Sequence, residues 1–295
     1  MATAKELMAK AARIRIIANK LSDDRVAGEY HSTFRGQGVE FDEVRPYVPG
    51  DDVRAIDWNV TARTGVPFIK RFSEERELTV MFLVDVSGSQ SYGSAARSKA
   101  ELAAELACVL ALAAEKNKDK TGIALFSSKI EKYIPPRKGR TSVMRIVREV
   151  LAAGEEASGG TDIAGALRFL EGVCKRRAVV FLVSDFMDDS HDWRKPLRVA
   201  ARRHDIVAVS VSDPAESILP DAGIVELEDP ETGESAIVDT SSGAVREAFA
   251  AAARERAAGI DSFFARNGID TLRVSTGSGY MEDLVALFRR RAGKR

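Results

Sequence analysis

Leu78-Thr79-Val80-Met81-Phe82-Leu83-Val84-Asp85-Val86-Ser87-Gly88-Ser89 is the stretch on which the fold turns. From Leu78 to Val84 the run is apolar nearly throughout, as in a strand covered on both faces. Asp85, Ser87 and Ser89 follow at once, at the carboxyl end of that strand. In open parallel sheets ligands bind outside the carboxyl ends of the strands, so position gives this string its meaning. An Asp-x-Ser-x-Ser pattern alone occurs by chance in roughly one chain in ten of this length. Taken alone, Ser87 or Ser89 would only cap the helix that follows.

Working downstream, helices and strands alternate. A helix is expected over Ser94 to Lys116, with Leu102, Leu106, Val109, Leu110 and Ala113 facing inward, then strands over Thr121 to Phe126 and Lys129 to Ile134, the latter ended by Pro135-Pro136. Thr141 to Leu151 reads as a helix, and a further helix reaches Cys174. Strand Ala178 to Ser184, helix Trp193 to Arg203, strand Ile206 to Val211, helix Ala244 to Asn267, strand Ile269 to Val274 and helix Met281 to Arg290 follow. The pattern predicts an α/β fold with a doubly wound, mostly parallel sheet. Between residues 214 and 243 an acidic β-hairpin is expected, either a plain surface insertion or a partner contact.

Working upstream, Leu7, Ala11, Ile14, Ile17 and Leu21 give residues 1–24 one helical apolar stripe, broken at Ser22-Asp23-Asp24. Residues 28–77 are rich in Gly, Pro, aromatics and charge, and read as a compact, β-rich module with a hairpin around Thr64-Gly65. Phe34, Phe41, Tyr47, Trp58, Phe68 and Phe72 are more aromatics than so short a module buries alone. The expected division is therefore 1–77, packed on the main domain, and 78–295, with Trp58 in the core. Asp51, Asp52, Arg54 and Asp57 read as ion pairing that holds a turn, or as a second polar site.

Composition removes several function classes. With 44 Lys+Arg against 44 Asp+Glu there is no net field to gather nucleic acid or anionic lipid. The basic end, Arg289-Arg290-Arg291 with Lys294-Arg295, reads as a solvated terminus. No apolar stretch approaches a membrane span, and no secretory signal is evident. Two cysteines and three scattered histidines are too few for a disulfide scaffold or a thiolate or imidazole metal site, which points to a reduced, cytoplasmic protein. No Gly-x-x-x-x-Gly-Lys loop is present, so the chain is not itself a P-loop ATPase.

Two further segments carry chemistry. Gly159-Gly160-Thr161-Asp162 places a hydroxyl and a carboxylate in a glycine-permitted loop at a helix start, and Val183-Ser184-Asp185-Phe186 places a carboxylate at another strand's carboxyl end. Asp85, Ser87, Ser89, Thr161 and Asp185 offer only oxygen, which suits a hard octahedral cation such as Mg²⁺ that keeps several waters.

From Leu78 onward the chain resembles a von Willebrand factor A-like domain, whose metal-ion-dependent adhesion site uses Asp-x-Ser-x-Ser, then Thr, then Asp. Upstream, Gly36 to Glu43, Arg45-Pro46-Tyr47, Pro49-Gly50-Asp51-Asp52, Arg54, Ile56-Asp57-Trp58, Ala62-Arg63 and Glu75 resemble the signature of domain-of-unknown-function family 58. Many relatives in that family carry N-terminal membrane helices, which this chain does not show, and the genes often lie beside those of MoxR-type AAA+ ATPases. The resemblance implies that Ser87 and Ser89 coordinate the metal through their hydroxyls and Thr161 directly or through water. It implies that Asp85 and Asp185 act mainly through bound water, and that an open sixth position accepts a partner's carboxylate. The expected function is a Mg²⁺-dependent interaction module, adaptor or co-chaperone of a MoxR-like AAA+ ATPase, and not an enzyme. The alternatives are a metal-dependent phosphohydrolase with Asp85 as nucleophile, or a structural domain that does not use its site. Against the phosphohydrolase, the second carboxylate such chemistry wants two residues on is here the neutral hydroxyl of Ser87.

Overall fold

The computed structural model describes residues 24–34, 40–73, 77–95, 97–155, 159–187, 192–229 and 232–293. They divide into two compact units. One takes the described residues up to Phe34 and those from Thr79 onward; the other takes those between, as far as Leu78.

The larger unit is built on a six-stranded sheet. Strands β3 (Thr79–Asp85), β4 (Lys120–Phe126), β5 (Ile130–Arg137), β6 (Val179–Ser184), β7 (Asp205–Ser212) and β10 (Asp270–Ser275) lie in the order β10-β7-β6-β3-β4-β5. Every pairing is parallel except β4 with β5. The order reverses beside β3, the switch point of a doubly wound sheet, so crevices open at the carboxyl ends of β3 and its neighbours. The fold class is the one the alternation predicts. β5 does not stop at Pro135-Pro136 but runs through them to Arg137. It is an edge strand whose pairing with β4 shifts register opposite the prolines, which is where missing backbone N–H groups are tolerated.

Helix Lys99–Lys116 starts later than expected because Ser98 and Glu101 form a reciprocal capping box ahead of it. Not only its inward stripe but also Ala103, Ala104, Ala107, Cys108, Ala111 and Leu112 are buried. The all-round burial has a cause in a helix the sequence pattern did not place, Asp24–Thr33. Val26, Tyr30, Thr33 and Phe34 recur on one face and are buried, so Asp24 opens a helix where a break was expected. This helix packs on Lys99–Lys116 and on the last helix, Met281–Gly293. The Tyr30 hydroxyl donates to Asp119 at 3.1 Å, and the Thr33 hydroxyl to the Phe288 carbonyl at 2.9 Å. The expected helix over residues 1–24 otherwise lies outside the described residues.

Arg291 corrects the reading of the basic end as solvated. It is buried, pairs with Asp205 and Asp270 at the amino ends of β7 and β10, and lays its guanidinium over Phe34, 4.8 Å from the ring centre. The insert after β7 is a hairpin as expected: β8 (Ile224–Glu228) pairs antiparallel with β9 (Ser235–Asp239), leaving Ile224 and Ile237 exposed.

In the smaller unit, β1 (Glu40–Pro46) pairs antiparallel with β2 (Phe68–Ser73), with a register shift between Phe41 and Glu43. Between them Trp58–Thr64 is a helix, not the arm of a hairpin. Asp57 caps its start through the Asn59 and Val60 amides, and Gly65, at a φ of 72°, ends it in the left-handed region. Trp58, expected in the core, is 69% exposed at the first turn of that helix. The acidic cluster does hold the turn, mostly by capping. Asp51 forms a two-pronged pair with Arg45, at 2.7 and 2.8 Å, and accepts from the Val48 amide; Asp52 caps the turn Val53–Ala55. Phe34, counted among the module's aromatics, belongs to the larger unit, its ring 5.6 Å from that of Phe288.

Candidate functional site

β3 delivers Asp85 to the carboxyl edge of the sheet, and the chain leaves through a tight turn over Gly88–Ser91. The Asp85 carboxylate folds back on this turn: Oδ1 accepts from the Ser87 amide at 2.9 Å and Oδ2 from the Ser184 hydroxyl at 2.7 Å. Ser184 ends the neighbouring β6, so two strand ends are stitched through one carboxylate. The hydroxyls of Ser87 and Ser89 face each other at 3.2 Å, and Ser89 donates to Asp185 Oδ2 at 2.9 Å.

Asp185 sits in a strained corner. Phe186 adopts a φ of 59°, unusual for a bulky side chain, and is locked there by Trp193 and Phe264, whose ring centres lie 5.5 and 5.1 Å away. The corner turns the Asp185 carboxylate onto the Ser87–Ser91 turn, where Oδ2 also accepts from Gln90 at 3.2 Å and from the Lys99 ammonium at 2.8 Å.

The third loop is tied in by backbone. Gly159, at a φ of 79°, offers its carbonyl to the Gly88 amide at 3.1 Å, and the Asp162 amide donates to the Ser127 carbonyl at 2.8 Å. Thr161 lies buried between these two anchors, and Asp162 caps the helix Ile163–Val173. Of the five residues singled out in the sequence, Asp85, Ser87, Ser89 and Asp185 thus share one hydrogen-bond network, and Thr161 lies on a loop fastened to it.

Burial, and then the nearby Asp185 charge, push the Asp85 carboxyl up to about 7, with the Ser87 and Ser184 hydrogen bonds pulling the other way. Lys99 behaves oppositely. Burial pulls the ammonium down, but Asp185 and Glu216 outweigh that and hold it above its ordinary value. Among the described residues no cation pairs with the buried Asp85 carboxylate, which stands within a set of two carboxylates and three hydroxyls. Among the described residues no group of three or more His, Cys, Asp or Glu is arranged to hold a metal. This oxygen set, poor in carboxylates, fits a hard cation that keeps part of its hydration shell.

Lys99, Gln90, Ser184 and Glu216 were not foreseen. Lys99 had a signal: a lysine in the first turn of a helix faces the positive end of the helix dipole, so it needs nearby anions to stay there. Glu216 had one too. Asp213-Pro214-Ala215-Glu216 is a capping box, and Glu216 both receives the Lys99 ammonium and accepts from the Asp213 amide at 2.9 Å. Asp213 in turn accepts from the amide and hydroxyl of Ser94, the Thr276 hydroxyl and the Ala215 amide, fastening three strand-end loops together.

No described helix is long and apolar enough to cross a membrane. The chain is 32% identical over 266 residues to the uncharacterized protein Rv1480 of Mycobacterium tuberculosis, an alignment covering 89% of this chain and 83% of that protein. Among solved structures it is similar to the conserved hypothetical protein BatB from Bacteroides thetaiotaomicron, with TM-score 0.51 and 16% identity over 73% of this chain and 99% of that one. The SpRpn10 VWA domain also aligns, with TM-score 0.40 and 10% identity over 71% of this chain and 94% of that domain. Residues 43–259 match the family described as "Protein of unknown function DUF58", and the chain belongs to that family.

Proposed function

We propose that this protein is a Mg²⁺-dependent protein-interaction module that acts in the cytoplasm as adaptor or co-chaperone of a MoxR-like AAA+ ATPase. Ser87, Ser89 and Thr161 hold the cation, Asp85 and Asp185 fix the geometry and balance charge, and the partner completes the site with an exposed Asp or Glu. The observation that carries the reading is the Asp85 carboxylate, 1% exposed, beside a second carboxylate and two serine hydroxyls, with no cationic group paired with it among the described residues. A divalent cation supplies the missing positive charge. Because the surrounding donors are hydroxyls, the cation stays electron-poor and favours an incoming carboxylate over water. The MoxR-like partner rests on the family resemblance alone.

The phosphohydrolase reading gains no support from the site. The residue two places after Asp85, where such chemistry wants a second carboxylate, is Ser87, a neutral hydroxyl that is a poor general acid. Buried thiols at Cys108 and Cys174, neither in a disulfide, suit a reducing compartment.

The test is association with a MoxR-like ATPase in Mg²⁺ and in chelator, for the wild type, Asp85→Ala and Thr161→Ala. Binding that is lost in chelator and in both variants supports the reading. Equal affinity throughout removes the metal from recognition.

A further inference from the structure

Lys99 is one of the largest fully buried side chains in the protein, and its ammonium is shared between two carboxylates from different loops. One is Asp185, whose Oδ2 also receives Ser89 and Gln90, so that a single oxygen carries three donors. The other is Glu216, in the short turn Pro214–Glu216 that leads into the hairpin insert. The ammonium and the Ser89 hydroxyl therefore meet at the same carboxylate oxygen. Any cation held by Ser89 finds a fixed positive charge one atom further on, and shares the electron density of Asp185 with it.

Resting on the metal reading above, we propose that Lys99 is the internal counter-cation that sets how strongly this site holds a divalent ion, with Glu216 as the second anion that draws Lys99 off Asp185. The ammonium opposes the metal by charge and by occupying Asp185. Glu216 relieves both effects, because it neutralises the ammonium and takes part of its hydrogen bonding. The site is thereby held at an intermediate affinity that a partner's carboxylate can complete, and the turn leading to the hairpin becomes part of the circuit that fixes that affinity.

The two members of the ion pair then act with opposite sign, which a purely structural role would not give. Mn²⁺ serves as the probe, its free concentration read by electron paramagnetic resonance in the presence of the full-length protein. Lys99→Met is expected to bind Mn²⁺ about tenfold tighter than wild type and Glu216→Gln several-fold weaker, within the range of coupling between adjacent sites. Circular dichroism of each variant establishes that it is folded. Should Lys99→Met fail to fold, Glu216→Gln decides, and unchanged or tighter Mn²⁺ binding there overturns the inference. Equal affinities for wild type and both variants overturn it as well, while leaving the metal reading in place. Absence of Mn²⁺ binding in all three overturns the metal reading, and this inference falls with it.

Discussion

Asp85 and Asp213 occupy equivalent places and have opposite characters. Asp85 ends, and Asp213 directly follows, a strand of the same sheet at its carboxyl edge, and each is 1% exposed. Burial raises both, yet Asp213 ends below its ordinary value, held down by hydrogen bonds from Ser94, Thr276 and Ala215. Asp85 ends far above, because burial weighs most on it, a second carboxylate lies nearby and fewer donors oppose the two. Solvent exposure alone therefore does not separate a structural carboxylate from a site carboxylate. The desolvation each carboxylate suffers, its neighbouring charge and its supply of donors together do. Asp213 is a buckle with its charge spent on three loops, whereas Asp85, once ionised, carries a charge that no described cation pairs with.

The strongest way to break this contrast is to give Asp185 the condition of Asp85. Lys99→Ala removes the ammonium that balances Asp185 and Glu216, leaving buried carboxylates without their cation. Removing one partner of a buried pair costs about 3–5 kcal/mol, so this is the largest expected loss of stability. Urea denaturation in chelator measures it. A loss under about 1 kcal/mol, the range of exposed pairs, would mean that Lys99 does not balance the site.

Asp213→Asn tests the other side. The substitution keeps shape but removes charge from bonds that the charge strengthens, and a loss of about 1.5–3 kcal/mol is expected. The sign with pH follows from a folded-state value below the ordinary 3.8. The contribution of Asp213 is fully present above 3.8 and disappears as pH falls through the lower folded-state value, because protonation then costs the folded state its bonds. Thermal melts of wild type and variant should therefore differ near neutrality and converge in acid. A gap that persists in acid would assign the effect to packing.

Much of this was legible in the sequence for a physical reason. Strands covered on both faces announce themselves as apolar runs, and a residue directly after such a run must lie at the sheet's edge. Asp85 and Asp185 were readable in that way, and Thr161 from its glycines. What was not readable depends on distant partners. Lys99 stands 86 residues before Asp185 and 117 before Glu216, and no local pattern ties them. Arg291 looked like a charged tail because its partners, Asp205 and Asp270, become neighbours only when β7 and β10 pair. The Trp58–Thr64 helix is a different failure. Its caps, Asp57 and Gly65, were in plain sight, but seven residues are too few for helical periodicity to outweigh the alternation around them.

The smallest effect and the sharpest sign belong to Asp85→Asn. An amide at this position can keep both hydrogen bonds: its oxygen accepts from the Ser87 amide, and its nitrogen donates to the Ser184 hydroxyl, which can turn to accept. What disappears is the charge that Asp185 repels. In chelator the variant should therefore match wild type within about 1 kcal/mol near neutrality, or exceed it. The pH profile separates the two. The wild-type carboxyl is raised from 3.8 to about 7 in the fold, so between those values the folded protein keeps a proton that the unfolded chain has released. Wild-type stability then falls as pH rises through that window, whereas the variant, with nothing to titrate at this position, should lack that fall. Added Mg²⁺ should recover the wild type at neutral pH, since the cation stabilises the ionised carboxylate, and should leave Asp85→Asn where it was. Parallel pH profiles in chelator would mean that Asp85 is already compensated, which would remove the difference from Asp213 on which the metal reading depends.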